Sequence, residues 1–440
     1  MSVIERSEGI NETENALALL CDNVFLKLWS YPNLYNGKGQ ELCDALIVFE
    51  NQIFIFSVKD IKFDETKKRK LAWQRWKKKA INKSIEQVNG AERLIKKHPD
   101  KIFLDMNCTK PFPFKIDASS LKIYKIIVAH GVENACKNDS INNINGSLGI
   151  SYIDEKFNDG KERPFMLTLN RNDIIHVLDS YNLDIILREL DTISDLSAYF
   201  EFKEELIKKT PLMYCGEEDL LASYIEKFTV KKPEVPDDCG VLFVREGGWQ
   251  KIVNSEGYQK WKKLNEPSYF WDNLLQLASD YALNGTMKGS GQIFNGKSAL
   301  FEMAKEPRNM RRVLSEQFLD RSNVIKNKQN KDALQIFSMP SCIKNVYYVV
   351  LQHDADIDDK KRNQYKMALA KLCESFVNKQ PDAQKIIGIA INTFSSFHNI
   401  LADFALLNCN ELTDEIREHY KKFNFWDSKN IINLSSEINN

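Results

Sequence analysis

A chain of 440 residues, 43% of them hydrophobic, carries enough apolar side chain to bury the cores of two or three domains. Its 61 basic and 61 acidic residues cancel, which excludes polyanion binding by global charge and leaves a local patch as the only way to hold a nucleic acid. Nine cysteines without a CxxC pair speak against a disulfide framework or a zinc knuckle; with no apolar leader core and no run of about 18 apolar residues, a cytoplasmic protein with no membrane segment is expected.

In chain order, Asn11 or Thr13 can cap a first helix whose apolar residues Leu17, Leu20, Val24 and Leu28 follow helical spacing. Glu14 lies on the same inward stripe, although a first-turn Glu also favours the helix dipole. Tyr31 to Gln40, with Pro32, Gly37 and Gly39, reads as a loop. Next comes ELCDALIVFENQIFIFSVKD, Glu41 to Asp60. Its apolar runs Ala45 to Phe49 and Ile53 to Phe56 flank Glu50, Asn51 and Gln52, which predicts a β-hairpin of two central strands covered by helices. Asp44, Ser57 and Lys59 are anomalous there, because charged groups enter buried strands only when paired or coordinating a metal. Alternation puts Ser57 and Lys59 on one face, with Asp44 able to lie beside them.

An acid on one strand followed by acid-x-Lys on the next resembles the PD-(D/E)XK, or restriction-endonuclease-like, nucleases. The resemblance implies that Asp44 binds Mg²⁺ (or Mn²⁺) and that Lys59 positions and polarises the attacking water. Ser57-Val58-Lys59 departs from the pattern, since a serine stands where the second acid belongs. The resemblance therefore points to Glu41, three residues before Asp44, or to Glu14 on the first helix as the replacement metal ligand.

Beyond Lys59 the chain is strongly basic: Lys67, Lys68, Arg69, Lys70, Arg75, Lys77, Lys78 and Lys79 precede the next acid, Glu86. Trp73, Trp76 and Ala80 recur at helical spacing, so the expected element is a helix with an aromatic inner stripe and a cationic outer face. That face is either a solvated charge run or a grip on a phosphate backbone. Ser84 to Ile95 continues as helix, and the resemblance implies a role for Gln87 near the scissile phosphate. Leu121 to Ala129 reads as the next core strand, completing an α-β-β-α-β order. The resemblance covers roughly residues 10 to 130, inside an expected first domain over 1–228.

Farther on, Gly131 to Gly146 reads as a polar inserted loop; short strands follow near Leu148 to Ile153 and Phe165 to Leu169, then helices from Asp173 to Lys209. A linker is expected at Thr229 to Cys239, followed by a second α/β domain over 240–440. That domain has a strand at Val241 to Val244, helices at Phe270 to Leu283 and Ala299 to Phe318, and a βαβ unit over Val346 to Leu351, Lys360 to Asn378 and Lys385 to Ile391. Gly291 to Ser298 matches the phosphate-loop pattern G-x4-G-K-S, but that loop needs a strand immediately before it and a helical pattern precedes it here. Gln352, His353, Asp354 and Asp356 lie at a strand end, where α/β folds place ligands and where polar loops also occur.

The expected fold class is thus α/β: a restriction-endonuclease-like core plus a second α/β domain. The expected activity is Mg²⁺-dependent hydrolysis of DNA phosphodiesters, in a setting that resembles bacterial restriction or antiphage defence. A homo-oligomer or a defence-system partner protein is left open. Two other classes stay in view: a catalytically inactive nucleic-acid-binding scaffold, and a nucleotide hydrolase acting through Gly291 to Ser298.

Overall fold

The Glu41–Asp60 stretch forms the middle of a six-stranded sheet. The structure, a computed structural model, describes residues 7, 12–139, 145–154, 160–230, 240–284, 296–326, 334–353, 358–392, 400–422 and 426. It is mixed α/β and divides into two compact units, Glu5–Lys260 and Trp261–Asn440.

The first unit opens with α1 (Glu12–Phe25), β1 (Ser30–Asn36), β2 (Glu41–Phe49) and β3 (Gln52–Asp60). A continuous helical run follows, made of α2 (Arg69–Lys77), a π-helical turn (Lys78–Asn82) and α3 (Lys83–Lys97). Next come β4 (Ile102–Phe103), β5 (Lys122–His130), α4 (Glu133–Asp139), β6 (Gly149–Ile153), β7 (Met166–Asn170) and β8 (His176–Leu178). The unit closes with α5 (Ser180–Glu189), α6 (Ile193–Lys209), β9 (Leu212–Cys215), α7 (Glu217–Val230), β10 (Leu242–Val244), α8 (Gly248–Val253) and the start of α9 (Glu256–Asn265).

The main sheet has the order β4-β1-β2-β3-β5-β8, with β2 antiparallel to β3 and β3 parallel to β5. Phe49 pairs with Gln52, so the hairpin turns through Glu50 and Asn51, and Glu50 takes a left-handed φ of 53°. Strand alternation gives the sheet two unlike faces. Phe54 packs with Phe25 of α1, Tyr124 of β5 and Phe200 of α6. The opposite face carries Ser57 and Lys59 and is covered by α3. A second, four-stranded sheet, β10-β9-β6-β7, completes the unit.

Several sequence expectations change here. Ser30–Asn36 is a strand rather than a loop: Pro32 pairs with Ala45 and Leu34 with Cys43 of β2, on either side of Asn33, in a strand whose other neighbour is only the two-residue β4. Helix α4 lies within the Gly131 to Gly146 segment, and β8 precedes the helices expected from Asp173. The second unit begins at Trp261 rather than near 240, because Leu242–Val244 adds in parallel to β9 and so belongs to the first unit. Most of the expected linker, 231–239, lies outside the described residues.

In the second unit, α10 (Tyr269–Leu283), α11 (Gly296–Ala304) and α12 (Arg308–Lys326) precede β11 (Gln335–Pro340) and β12 (Val346–His353). Then come α13 (Asp359–Lys379), β13 (Lys385–Asn392), β14 (Ala402–Asn408) and α14 (Asp414–Lys422). The helix expected at Ala299 to Phe318 is two helices, broken at Pro307, which cannot supply the backbone N–H of a continuing helix. The sheet order is β11-β12-β13-β14, and the parallel pair β12/β13 with α13 between them is the βαβ unit expected from the sequence. Leu369, Leu372, Cys373 and Phe376 of α13 pack on one face. On the other, Trp271 meets Tyr348 and Phe318 meets Phe337. A Cβ at Gly388 would stand 2.8 Å from Cys373 Sγ, so glycine is what lets α13 lie this close to β13. Among the described residues, no helix is long and apolar enough to cross a membrane.

Candidate active site

The β2/β3 ladder stops at the Ala45/Phe56 pair, and the next step outward is Asp44 opposite Ser57. Past that point the Asp44 side chain replaces the ladder: Val58 N–H donates to Asp44 Oδ2 at 2.5 Å, and Lys59 Nζ reaches the same oxygen at 3.4 Å. Asp44 is only 1% exposed, whereas the Lys59 side chain retains 28%. The two therefore converge in one cleft, with the lysine at its mouth.

Helix α3 closes the cleft from above. Ser57 Oγ donates to Gln87 Oε1 at 2.7 Å, and Gln87 Nε2 donates to Glu41 Oε1 at 3.2 Å. Glu41 is hydrogen-bonded in turn to Asp44. One connected chain results, from Ser57 through Gln87 and Glu41 to Asp44, and it assigns the Gln87 amide its orientation. Burial, the hydrogen bond with Glu41 and the Glu41 charge push the Asp44 carboxyl up to about 8, with Lys59 and Val58 N–H opposing. Glu41 is held below the usual carboxylate range by its hydrogen bond with Asp44 and by the Lys59 charge, against burial. Two carboxyl groups hydrogen-bonded to each other share one proton, and the burial of Asp44 favours keeping it there as pH rises.

Of the six residues singled out in the sequence, five meet in this group: Glu41, Asp44, Ser57, Lys59 and Gln87. The sixth, Glu14, lies on α1. Helix α1 packs on the Phe54 face of the sheet, and the Glu14 charge is felt, with those of Glu41 and Asp105, at the Tyr35 phenol, which burial and these carboxylates raise. Among the described residues, no three His, Cys, Asp or Glu side chains converge as a metal-holding group. The donor set at hand is accordingly two carboxylates and the Gln87 amide. That set fits Mg²⁺, which binds hard oxygen ligands through one or two carboxylates and keeps several waters. The shared proton stands where a cation's charge would serve the same pair.

The basic stretch is partly neutralised. Lys67 pairs with Asp64, Arg69 with Asp139, and Lys77 with Glu162 at 3.1 Å. Lys68, Lys70, Arg75, Lys78 and Lys79 are exposed and form no salt bridge among the described residues. Trp73 and Trp76 are buried and stacked at 5.4 Å, with Trp76 Nε1 donating to His130 O. The expected aromatic inner stripe and cationic outer face are both present. Between them and Gln87 lies the π-helical turn, a form concentrated at functional sites.

One residue missed in the sequence belongs to the same face. Lys125, opposite Ile55 on β5, is 5% exposed and bonds Asn89 Oδ1 at 2.9 Å, Glu92 Oε2 at 3.0 Å and Asp173. It ties α3 to the sheet two residues from Gln87. The signal that exposed Lys59, a lysine inside an apolar strand, is equally present in LKIYKIIVA. At the end of β5, His130 Nδ1 lies 2.5 Å from Ser180 Oγ, which also donates to Glu133. With serine between histidine and glutamate, this is not the order in which a base activates a nucleophile.

In the second unit, Gly296, Lys297 and Ser298 open α11, while Gly291 to Asn295 lie outside the described residues, as do Asp354 and Asp356. Gln352 and His353 are buried in β12. No protein-family model, no curated protein and no solved structure matches this chain.

Proposed function

We propose that the first unit is a divalent-metal-dependent nuclease that hydrolyses DNA phosphodiester bonds. The observation that carries this reading is the meeting of Asp44 and Lys59 at 3.4 Å on adjacent strands, with Glu41 supplying a second carboxylate where Ser57 cannot. Asp44 and Glu41 would hold Mg²⁺ or Mn²⁺, and the bound ion supplies Lewis-acid stabilisation of charge on the scissile phosphate. Lys59, at the mouth of the cleft, directs its ammonium at the attacking water and offsets negative charge as it develops. Gln87 keeps the Glu41 carboxylate in place through one hydrogen bond, and its own amide is fixed by Ser57. The exposed Lys68, Lys70, Arg75, Lys78 and Lys79 are the residues that would grip the phosphate backbone. DNA rather than RNA, and a role in restriction or antiphage defence, rest on the family resemblance, and a cytoplasmic setting rests on the nine cysteines without a CxxC pair.

A second reading is an inactive scaffold of the same shape, favoured by the serine at position 57 and by the absence of a three-carboxylate group among the described residues. Incubation of supercoiled plasmid with the purified protein in Mg²⁺, Mn²⁺ or EDTA separates the two. Metal-dependent nicking that Asp44→Asn abolishes supports the nuclease. Metal-independent binding without nicking supports the scaffold.

A further inference from the structure

The β1/β2 ladder slips by one residue between the pairs Leu34/Cys43 and Tyr35/Glu41, so Leu42 is an extra residue on β2. A bulge of this kind re-aims the side chains beyond it. Strand alternation alone would put Glu41, three residues before Asp44, on the opposite face of the sheet. With Leu42 inserted, Glu41 returns to the Asp44 face, where it meets Gln87. Tyr35 is the direct cross-strand partner of Glu41, and Phe103 of β4 is the direct partner of Tyr35. Directly opposed residues share a face, so Glu41, Tyr35 and Phe103 form one row that leads from the Asp44 cleft across β1 to β4.

Helix α3 packs on β2, β3 and β5, and the row runs outward from beneath it. Farther back on β1 the same face is closed by Phe112 and Phe114, which lie against a fully buried Tyr31. Tyr35 and Phe103 are by contrast partly exposed, and the exposed Lys38 and Lys101 flank them. A Cβ at Gly37 would stand 3.6 Å from Lys101 and 3.8 Å from the Phe103 ring, which brings the lysine beside the row. Rings for bases and cations for the backbone are the two parts of a single-strand site. Local charge decides which part of a nucleotide these rings take. Burial and the charges of Glu41, Glu14 and Asp105 raise the Tyr35 phenol, so three carboxylates lie around it. They repel a phosphate and leave the uncharged base as the group that rests on the ring, with its phosphate turned toward Lys38 or Lys101. Bases within a duplex are already stacked on one another, so the strand lying along this row is unpaired.

We propose that Tyr35 and Phe103 form a stacking platform for unpaired bases beside the scissile phosphate, which makes DNA with a single-stranded segment the substrate class. The inference rests on the nuclease reading for what is cut, but its test needs no cleavage. Fluorescence anisotropy on the full chain in EDTA compares a fluorescein-labelled oligothymidylate with a blunt hairpin duplex at one ionic strength. Wild type should bind the single strand more tightly. Tyr35→Leu and Phe103→Leu, which keep an apolar side chain on the sheet, should each weaken single-strand binding about 5- to 100-fold, the scale of losing one stacked base, and leave duplex binding unchanged. Tyr35→Phe should bind as wild type does, because stacking uses the ring and not the hydroxyl. This pattern in a protein that never nicks DNA would support the platform and count against the nuclease reading alone. Duplex binding as tight as single-strand binding, unchanged affinity in both leucine variants, equal losses on the two probes, or a loss in Tyr35→Phe as large as in Tyr35→Leu overturns the proposal.

Discussion

Replacing Lys59 with alanine separates chemistry from architecture, and the geometry sets the size of each effect. Removing one partner of a buried ion pair ordinarily costs about 3 to 5 kcal/mol, because the other charge is left stranded. Here Asp44 keeps the Val58 N–H at 2.5 Å and its hydrogen bond with Glu41, with which it shares a proton. Lys59 is itself 28% exposed. The stability cost should therefore be about 1 kcal/mol, in the range of partly exposed pairs. For a unit of this size that is roughly 2 to 4 °C in thermal midpoint. The rate of DNA cleavage in Mg²⁺ should fall on the order of 100- to 1000-fold, as when other single groups that stabilise transition-state charge are removed. Plasmid nicking, DNA affinity by gel shift and differential scanning calorimetry measure the three quantities on one preparation. A mutant that melts 10 °C lower and loses activity only in proportion to its unfolded fraction, or one that cuts as fast as wild type, refutes the assignment of Lys59 to chemistry.

Metal binding should displace the proton that Glu41 and Asp44 share, so Mn²⁺ affinity should increase as pH rises toward about 8, and calorimetry in buffers of different ionisation enthalpy should show proton release near pH 7; no release would mean the pair is not the metal site. Glu218, pushed up to about 8 by burial and the Asp179 charge, is protonated in the folded state over a range where the unfolded chain has lost the proton. Its contribution is therefore lost as pH rises from about 4.5 to 8. Glu218→Gln should raise the thermal midpoint at pH 9 and leave it nearly unchanged at pH 4.5. Lys203 and Glu217 form a fully buried pair with the Tyr199 and Tyr214 hydroxyls on the same carboxylate. Lys203→Met should cost about 3 to 5 kcal/mol, and the double variant Lys203→Met with Glu217→Gln should recover part of it, as read by urea denaturation.

The parts of the fold legible in the sequence were those written in periodicity. The apolar runs on either side of Glu50–Asn51, the strand around Ile126 and the βαβ unit from Val346 to Ile391 all appear where alternation or helical spacing places them. Strand β1 was hidden because Pro32 and a left-handed Asn33 interrupt it, and pairing beside β2 overrides those local signals. The end of the first unit is not legible for a similar reason: Leu242–Val244 is joined to β9 by a long-range parallel pairing that no local composition reveals. At the candidate site, Asp44 and Lys59 were readable as charges inside apolar strands. Their hydrogen-bond partners were not, since the bond from Val58 N–H depends on where the hairpin ladder stops, and the link through Gln87 depends on how α3 sits on the sheet. Lys125 carries the same signal as Lys59, a lysine inside an apolar strand, but it lies on a strand outside the acid-x-Lys pattern.

The most direct test is a crystal of the full chain soaked in Mn²⁺, with the ion located by its anomalous scattering. Density is expected bound by both the Asp44 and Glu41 carboxylates at about 2.0 to 2.2 Å, slightly longer than the Mg²⁺ distance, with the hydrogen bond between the two carboxyls broken. Saturating Mn²⁺ that leaves this pair joined and the cleft empty would contradict it.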